Sequence, residues 1–325
     1  MVFACLFQKK SPADFFLSIF IMNEHIYRVY PVVLFCYNRP AALQKTITHL
    51  QKNFLASVTD LYVFSDAAKT EKDTEAVAEV RSFLATLRGF NSVTIHYAEK
   101  NRGLSASVIG GVSKVLEQHE AVIVLEDDLV TSTNFLRYMN AALQFYRDHP
   151  DVMSISGYTT PLKMQEAYPY DVYVTGRASS WGWATWHNRW STVDWEVKDY
   201  TQFSRDLQLQ KQFNAMGSDL SGMLRKQQEG KINSWAIRWC YHQFRQNTFT
   251  VYPLLSKVQN IGFGGTATHM HVTQQGRFAT TLDNTSKRNF HFPEAIEPVP
   301  FFTKQFISRY SLSTRIRYRL LKTLS

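Results

Sequence analysis

The chain has 325 residues, 45% of them hydrophobic and 19% charged, the balance of an ordinary globular protein with room for one large α/β domain or two smaller ones. A formal net charge of +9 and a pI near 9.3 favour an anionic partner: nucleotide phosphates, an anionic membrane surface or nucleic acid. Three widely spaced cysteines, Cys5, Cys36 and Cys240, exclude a disulfide framework and a CxxC metal site and point to a reducing compartment.

Residues 1–26 read as an N-terminal extension. The apolar stretch 15–22 (FFLSIFIM) follows Lys9 and Lys10 but has no small-residue cleavage site after it. It is also far shorter than the roughly 18–20 apolar residues of a membrane span. Globular sequence begins near Tyr27, and Met22 is an alternative start, so residues 1–21 are assigned no role.

Residues 31–37 (PVVLFCY) predict a buried strand, stopped by the turn signal of Asn38, Arg39 and Pro40. Residues 41–53 carry apolar positions at helical spacing. Residues 61–64 (LYVF) predict a second strand, closed by Ser65 and Asp66. A helix over 70–87 follows, with acids early and Arg88 and Gly89 at its end. Strand 93–96, helix 104–118, strand 121–125 (AVIVL), helix 133–147 and strand 152–156 (VMSIS) continue the alternation. This spacing predicts βαβ units and a mostly parallel sheet flanked by helices.

After residue 160 the alternation stops. Residues 176–195 hold five tryptophans, Trp235 and Trp239 follow, then a strand-like 248–252 and a Gly-rich loop at 262–268. Residues 301–325 carry Lys304, Arg309, Arg315, Arg317, Arg319 and Lys322 without an acid, among Ile307, Tyr310, Ile316, Leu320, Leu321 and Leu324. Such a basic amphipathic helix either rests on an anionic membrane surface or docks on the domain with its charges solvated. No RNA- or DNA-binding motif accompanies the charge, so nucleic acid is the weaker partner.

The fourth strand ends in Glu126, Asp127 and Asp128. Packing explains the apolar run but not three carboxylates, which repel unless a cation or hydrogen-bond donors offset them. In open α/β sheets the C-terminal strand edge is where ligands bind. Hard oxygen ligands there suit Mg²⁺ or Mn²⁺ bridging carboxylates to nucleotide phosphates. At the same edge Arg39 can hold phosphate bidentately, and Asp66 can accept from a base N–H. Walker A and GxGxxG motifs are absent, which argues against P-loop and classical dinucleotide folds.

These residues resemble the DxD-type signature of nucleotide-sugar glycosyltransferases with the GT-A fold. The blocks PVVLFCYNRP, YVFSDA, NRGLSASVIGGV, VIVLEDDLVTSTNFLRYMNAAL, VMSISGY, SSWGWATW, INSWAIRW and SKVQNIGFGGTATH are similar in order and spacing to N-acetylglucosaminyltransferase I and bacterial family 2-like sugar transferases, over roughly residues 30–272. The resemblance implies a GT-A (Rossmann-like) sheet in a nucleotide-sugar-binding half, 27–160. An aromatic-rich acceptor-binding half, 161–300, and the basic tail, 301–325, complete the chain. It implies an inverting, metal-dependent transfer from a nucleotide diphosphate sugar, foremost a UDP-sugar, to a glycan or lipid-linked acceptor. The setting implied is bacterial surface-polysaccharide synthesis, in the cytoplasm at the inner face of the cell membrane.

The resemblance places Arg39 on the donor diphosphate, Asp66 on uracil, and Asn101 and Arg102 among the donor contacts. Asp128 becomes the ligand of Mn²⁺ or Mg²⁺, and Glu126 and Asp127 face ribose and donor sugar. His269, with His271 as a substitute, lies near the diphosphate. Trp181, Trp183 and Trp235 either stack on acceptor sugars or belong to the core. Inversion needs a carboxylate to take the acceptor proton, but the family's acidic motif aligns here with Asn233, Ser234 and Trp235, and an amide is no base. Asp219 is the substitute base, with Asp194 behind it. Two other readings stay open: a degenerate nucleotide-sugar-binding protein without turnover, and a sugar nucleotidyltransferase, although the loop NRPAAL lacks that class's glycines.

Overall fold

Strand β1 (Val32–Cys36) is buried along its whole length. It pairs in parallel with β2 (Asp60–Ser65), which pairs in parallel with β3 (Ser92–Tyr97). Helices α1 (Pro40–Gln51), α2 (Thr74–Ala85) and α3 (Leu104–Leu116) follow these strands in turn, and β4 (Ala121–Glu126) returns to pair in parallel with β1. This is a computed structural model, and it describes residues 28–262 and 277–323. The expected extension over 1–26 therefore lies outside the described residues.

A short β5 (Leu129–Thr131) follows the acids, then α4 (Phe135–Phe145), β6 (Val152–Ser156), β7 (Val172–Thr175) and β8 (Trp183–Trp186). Helices α5 (His187–Trp190), α6 (Tyr200–Arg205), α7 (Leu207–Phe213), α8 (Leu220–Gln228) and α9 (Trp235–Arg245) lead to β9 (Phe249–Pro253) and β10 (Val258–Asn260). The chain closes with α10 (Pro300–Tyr310) and α11 (Leu312–Thr323). The main sheet runs β3-β2-β1-β4-β8-β6-β9-β7, and β5 pairs with β10 in a separate two-stranded ribbon. Beyond β4 the sheet becomes mixed, because β8 runs antiparallel to both β4 and β6, and β7 antiparallel to β9. Strands β7 and β8 are additions to the sequence reading. Each is four residues long and fully buried, so neither shows the alternation that marks a strand with one wet face.

Both faces of the parallel half are covered, which is why its central strands read as continuous apolar runs. Val32, Leu34 and Cys36 face the layer of α1, α2 and α4; Val33 and Phe35 face α3 and α9. Cys36 and Cys240 are free thiols inside these two cores. Helix α3 sits close enough to the sheet that a Cβ on Gly111 would lie 2.7 Å from Phe35 Cε1 and 3.2 Å from Phe64 Cδ2. Gly111→Ala is expected to lower unfolding free energy in urea by about 1–3 kcal/mol, the usual range for overpacking. Stability within error of wild type would show that α3 shifts freely.

The tail is helical, as expected, and its first helix docks. Phe302 and Phe306 of α10 are buried against Tyr173 of β7 and Tyr252 of β9. No described helix is long and apolar enough to cross a membrane.

Candidate active site

Because β1 and β4 are parallel neighbours, with Phe35 opposite Glu126, the loops that leave them emerge side by side. Arg39 stands immediately before α1, and Pro40 at the helix's first turn fixes the chain's exit direction. The Arg39 guanidinium donates through Nη1 to Asp128 Oδ2 at 2.8 Å and through Nη2 to Asp127 Oδ1. The Tyr37 N–H donates to the other Asp127 oxygen at 3.1 Å, and the Thr46 hydroxyl to the Asp127 carbonyl at 2.8 Å. Sequence elements 89 residues apart thus form one charged cluster.

Arg39 brings one positive charge to three acids. Burial, then Asp128 and Asp127, push the Glu126 carboxyl up to about 8 against the opposing Arg39 charge. Burial raises Asp127 to about 6, again against Arg39. Asp128 Oδ1 is buried and has no hydrogen-bond partner among the described residues. A buried carboxylate oxygen without a donor is costly, and such a hard anionic oxygen is what a divalent cation binds. Asp128 Oδ1 is thus one hard oxygen that suits Mg²⁺ or Mn²⁺, although no group of three ligating side chains gathers around it among the described residues.

The β5–β10 ribbon roofs this cluster. Asn260 lies opposite Leu129, the Ile261 N–H donates to the Asp128 carbonyl at 2.8 Å, and the Gly262 N–H to Asn260 Oδ1 at 2.8 Å. A Cβ on Gly262 would overlap Asp128 Oδ2 and approach its Cγ to 2.9 Å. Glycine is thus required by close approach of the backbone to the acid. The sequence marked the Gly-rich loop but not this contact. Gly262→Ala is expected to displace the Asp128 side chain and weaken Mn²⁺-dependent nucleotide binding by about tenfold or more, read by titration calorimetry. Unchanged binding would mean that the ribbon yields instead. His269 and His271 lie outside the described residues.

Asp66, at the end of β2, accepts from the N–H groups of Ala67, Arg102 and Gly103, each at 2.9 Å. Asn101 Nδ2 donates to the Ala67 carbonyl at 2.8 Å. These bonds tie the loop before α3 to β2, and the φ of +74° at Gly103 needs a glycine. Three of the roughly four acceptor positions of a carboxylate are taken, so a base N–H would share Asp66 with this brace. The Arg102 side chain is exposed at the same edge.

On the second half several expectations change. Trp183 and Trp235 are buried and stack on each other with ring centroids 4.9 Å apart, with Trp190 on Trp183 at 5.4 Å. They are core and present no face to a sugar. Trp181 is half-buried, edge-on to Tyr158 at 4.6 Å, just before the end of β8 that lies beside the acids. Asp219 is committed to Arg177, both oxygens accepting at 2.9 Å. Although burial raises its pKa, the Arg177 charge and hydrogen bonds bring it below the usual carboxylate value, the wrong direction for a base at neutral pH. Asp194 accepts from the N–H groups of Glu196 and Lys198 and closes a turn. Asn233 is exposed just before α9, whose Arg238 donates to Ser105 of α3 at 2.6 Å.

Residues 32–226 match the family described as glycosyl transferase family 2. The chain belongs to that family. The mixed sheet around β4, with parallel strands on one side of it, is consistent with a GT-A fold. Comparison with curated proteins gives no match. Among solved structures this family 2 member is similar to S. aureus TarS, at 14% identity over 52% of this chain and 30% of that one, with a TM-score of 0.35. A structure of S. aureus TarS 1–349 in complex with UDP gives 16%, 54%, 49% and 0.34 in the same order. Mannosyltransferase PcManGT from Pyrobaculum calidifontis, in complex with GDP-Man and Mn²⁺, gives 15%, 54%, 51% and 0.32. The matched regions span from under a third to about half of those chains. The family match runs from β1 into α8, so it includes Arg39 and the three acids, while Asn233 and Gly262 lie beyond it.

Proposed function

We propose that the protein transfers a sugar, with inversion, from a UDP-sugar to a hydroxyl of a glycan or lipid-linked acceptor. One observation carries this reading: Arg39, Asp127 and Asp128 converge at the edge of β1 and β4, with one buried Asp128 oxygen left without a donor. A divalent cation at Asp128, when bound, would offset the charge that develops on the departing nucleoside diphosphate. Without donor, Arg39 is the counter-ion of the acids. Its planar guanidinium suits phosphate equally well, so it passes from Asp128 to the diphosphate when the donor arrives. Asp66, with the Asn101–Gly103 brace, shapes the base end of the site. Trp181, half-buried beside Tyr158 and Phe278, is the tryptophan of the three that keeps some surface for an acceptor ring. Bacterial surface-polysaccharide synthesis is the proposed setting, on the strength of the motif resemblance.

A second reading, nucleotide-sugar binding without turnover, is favoured by one observation. The position aligned with the general base is the amide Asn233, and the substitute candidate Asp219 is locked on Arg177. Incubation with a panel of nucleotide sugars and Mn²⁺ separates the two. Release of nucleoside diphosphate supports transfer; thermal stabilisation by donor without any release supports binding alone. No response to any nucleotide sugar or diphosphate would overturn both.

A further inference from the structure

We infer that α11 is a docking face for an anionic lipid surface. Helix α10 spends its apolar side on the domain, with Phe302 and Phe306 buried. Helix α11 does the opposite: Leu312, Ile316 and Leu320 are 60%, 47% and 60% exposed. Spaced four residues apart, they form one row along the helix. Arg315, about 100° round the helix from the middle of that row, ties the helix to the domain, its Nη1 donating to the Ser218 carbonyl at 2.8 Å and to its hydroxyl at 3.0 Å. The exposures of Leu312 and Ile316 leave this row largely in solvent beside that tether.

Charge selects the occupant of this row. From residue 301 to the C-terminus the sequence carries six bases and no acid. Arg317, which is exposed, falls on one flank of the row by helical spacing. A second copy of this helix would bring like charge against like charge. Nucleic acid would use the bases but leave Leu312 and Ile316 in water. A membrane rich in anionic lipid satisfies both features, apolar side chains entering the headgroup–acyl boundary while arginines meet phosphates. The surface deepens the proposed transfer, on which it rests only for its purpose: it would hold the enzyme beside a lipid-linked acceptor.

The test is co-sedimentation of the full chain with vesicles of phosphatidylglycerol and phosphatidylethanolamine, and with vesicles of phosphatidylcholine alone. Binding to the anionic vesicles should exceed binding to the neutral ones by about tenfold or more and fall with added salt. The triple variant Leu312→Ala, Ile316→Ala, Leu320→Ala keeps helix propensity and should lose about tenfold of that binding. A second variant, Arg317→Glu with Lys322→Glu, should lose as much while leaving the apolar row intact. Thermal shift by UDP and Mn²⁺ in both variants reports the donor site separately, so failure of the tail and failure of the transferase reading remain distinct. Equal binding to both vesicle types, unaltered binding by the alanine variant, or a dimer that the alanine variant dissolves would each overturn the inference.

Discussion

Asp128→Ala is expected to reduce sugar transfer by about 10²–10³-fold, the cost of several kcal/mol of lost charge stabilisation on the leaving diphosphate. The cause is specific to one oxygen pair. Asp128 Oδ2 is held by Arg39, and Oδ1 is the buried atom without a donor among the described residues, so removing the carboxylate removes the ligand proposed for the cation. Stability should change little, because Arg39 keeps its bond to Asp127 and the acid cluster loses one mutually repelling charge. The measurement is nucleoside diphosphate release with increasing Mn²⁺, beside thermal shift by UDP with and without metal. The variant should lose the metal-dependent part of the shift and keep the fold. Turnover within tenfold of wild type at saturating Mn²⁺ would remove Asp128 from the metal site and, with it, the proposed role of the triplet.

The parts of this site that sequence discloses are those governed by topology. An apolar run buried on both faces identifies β1 and β4, and their parallel pairing forces Arg39 and the acids to one edge. Nothing further was needed to bring Arg39 to Asp128. The tryptophans show the opposite case. An indole that stacks on a sugar and one that stacks on another indole have the same sequence signature, and only the packing of α9 on β8 buries Trp183 against Trp235. Asp219 failed as a base for a similar reason. Its partner Arg177 is 42 residues away on a loop whose position depends on β7, a strand too short to announce itself. Gly262 was visible only as the start of a glycine-rich run. That its backbone lies against Asp128 follows from the β5–β10 pairing, which six residues of weak pattern do not reveal.

The buried pair of Lys257 and Asp283 escaped the sequence reading altogether, and breaking it should produce the largest loss of stability. Lys257 immediately precedes β10, and its carbonyl accepts from the Ser132 N–H at 2.9 Å just after β5, so the pair braces the ribbon that roofs the acids. Asp283 also accepts from Asn134 Nδ2 at 2.9 Å and the Thr285 N–H at 2.8 Å. Asp283→Ala leaves the Lys257 ammonium buried without its counter-ion and removes one of the two acceptors of Asn134 Nδ2, so unfolding free energy in urea should fall by about 3–5 kcal/mol. Lys257→Met combined with Asp283→Leu should recover most of that loss, because an apolar pair of similar volume carries no desolvation cost. The pH dependence has a definite sign. Burial raises the Asp283 pKa, but the bonds from Lys257 and Asn134 and the Lys257 charge hold it down to about 2, against 3.8 when unperturbed. A depressed carboxylate contributes stability above its unfolded pKa and loses it as pH falls toward the folded value. Wild-type stability should therefore drop more steeply than that of the double variant between about pH 4 and pH 2. Parallel acid-unfolding curves for the two proteins would show that the pair contributes nothing to the native state's acid sensitivity, and that the ribbon is held by its strand pairing alone.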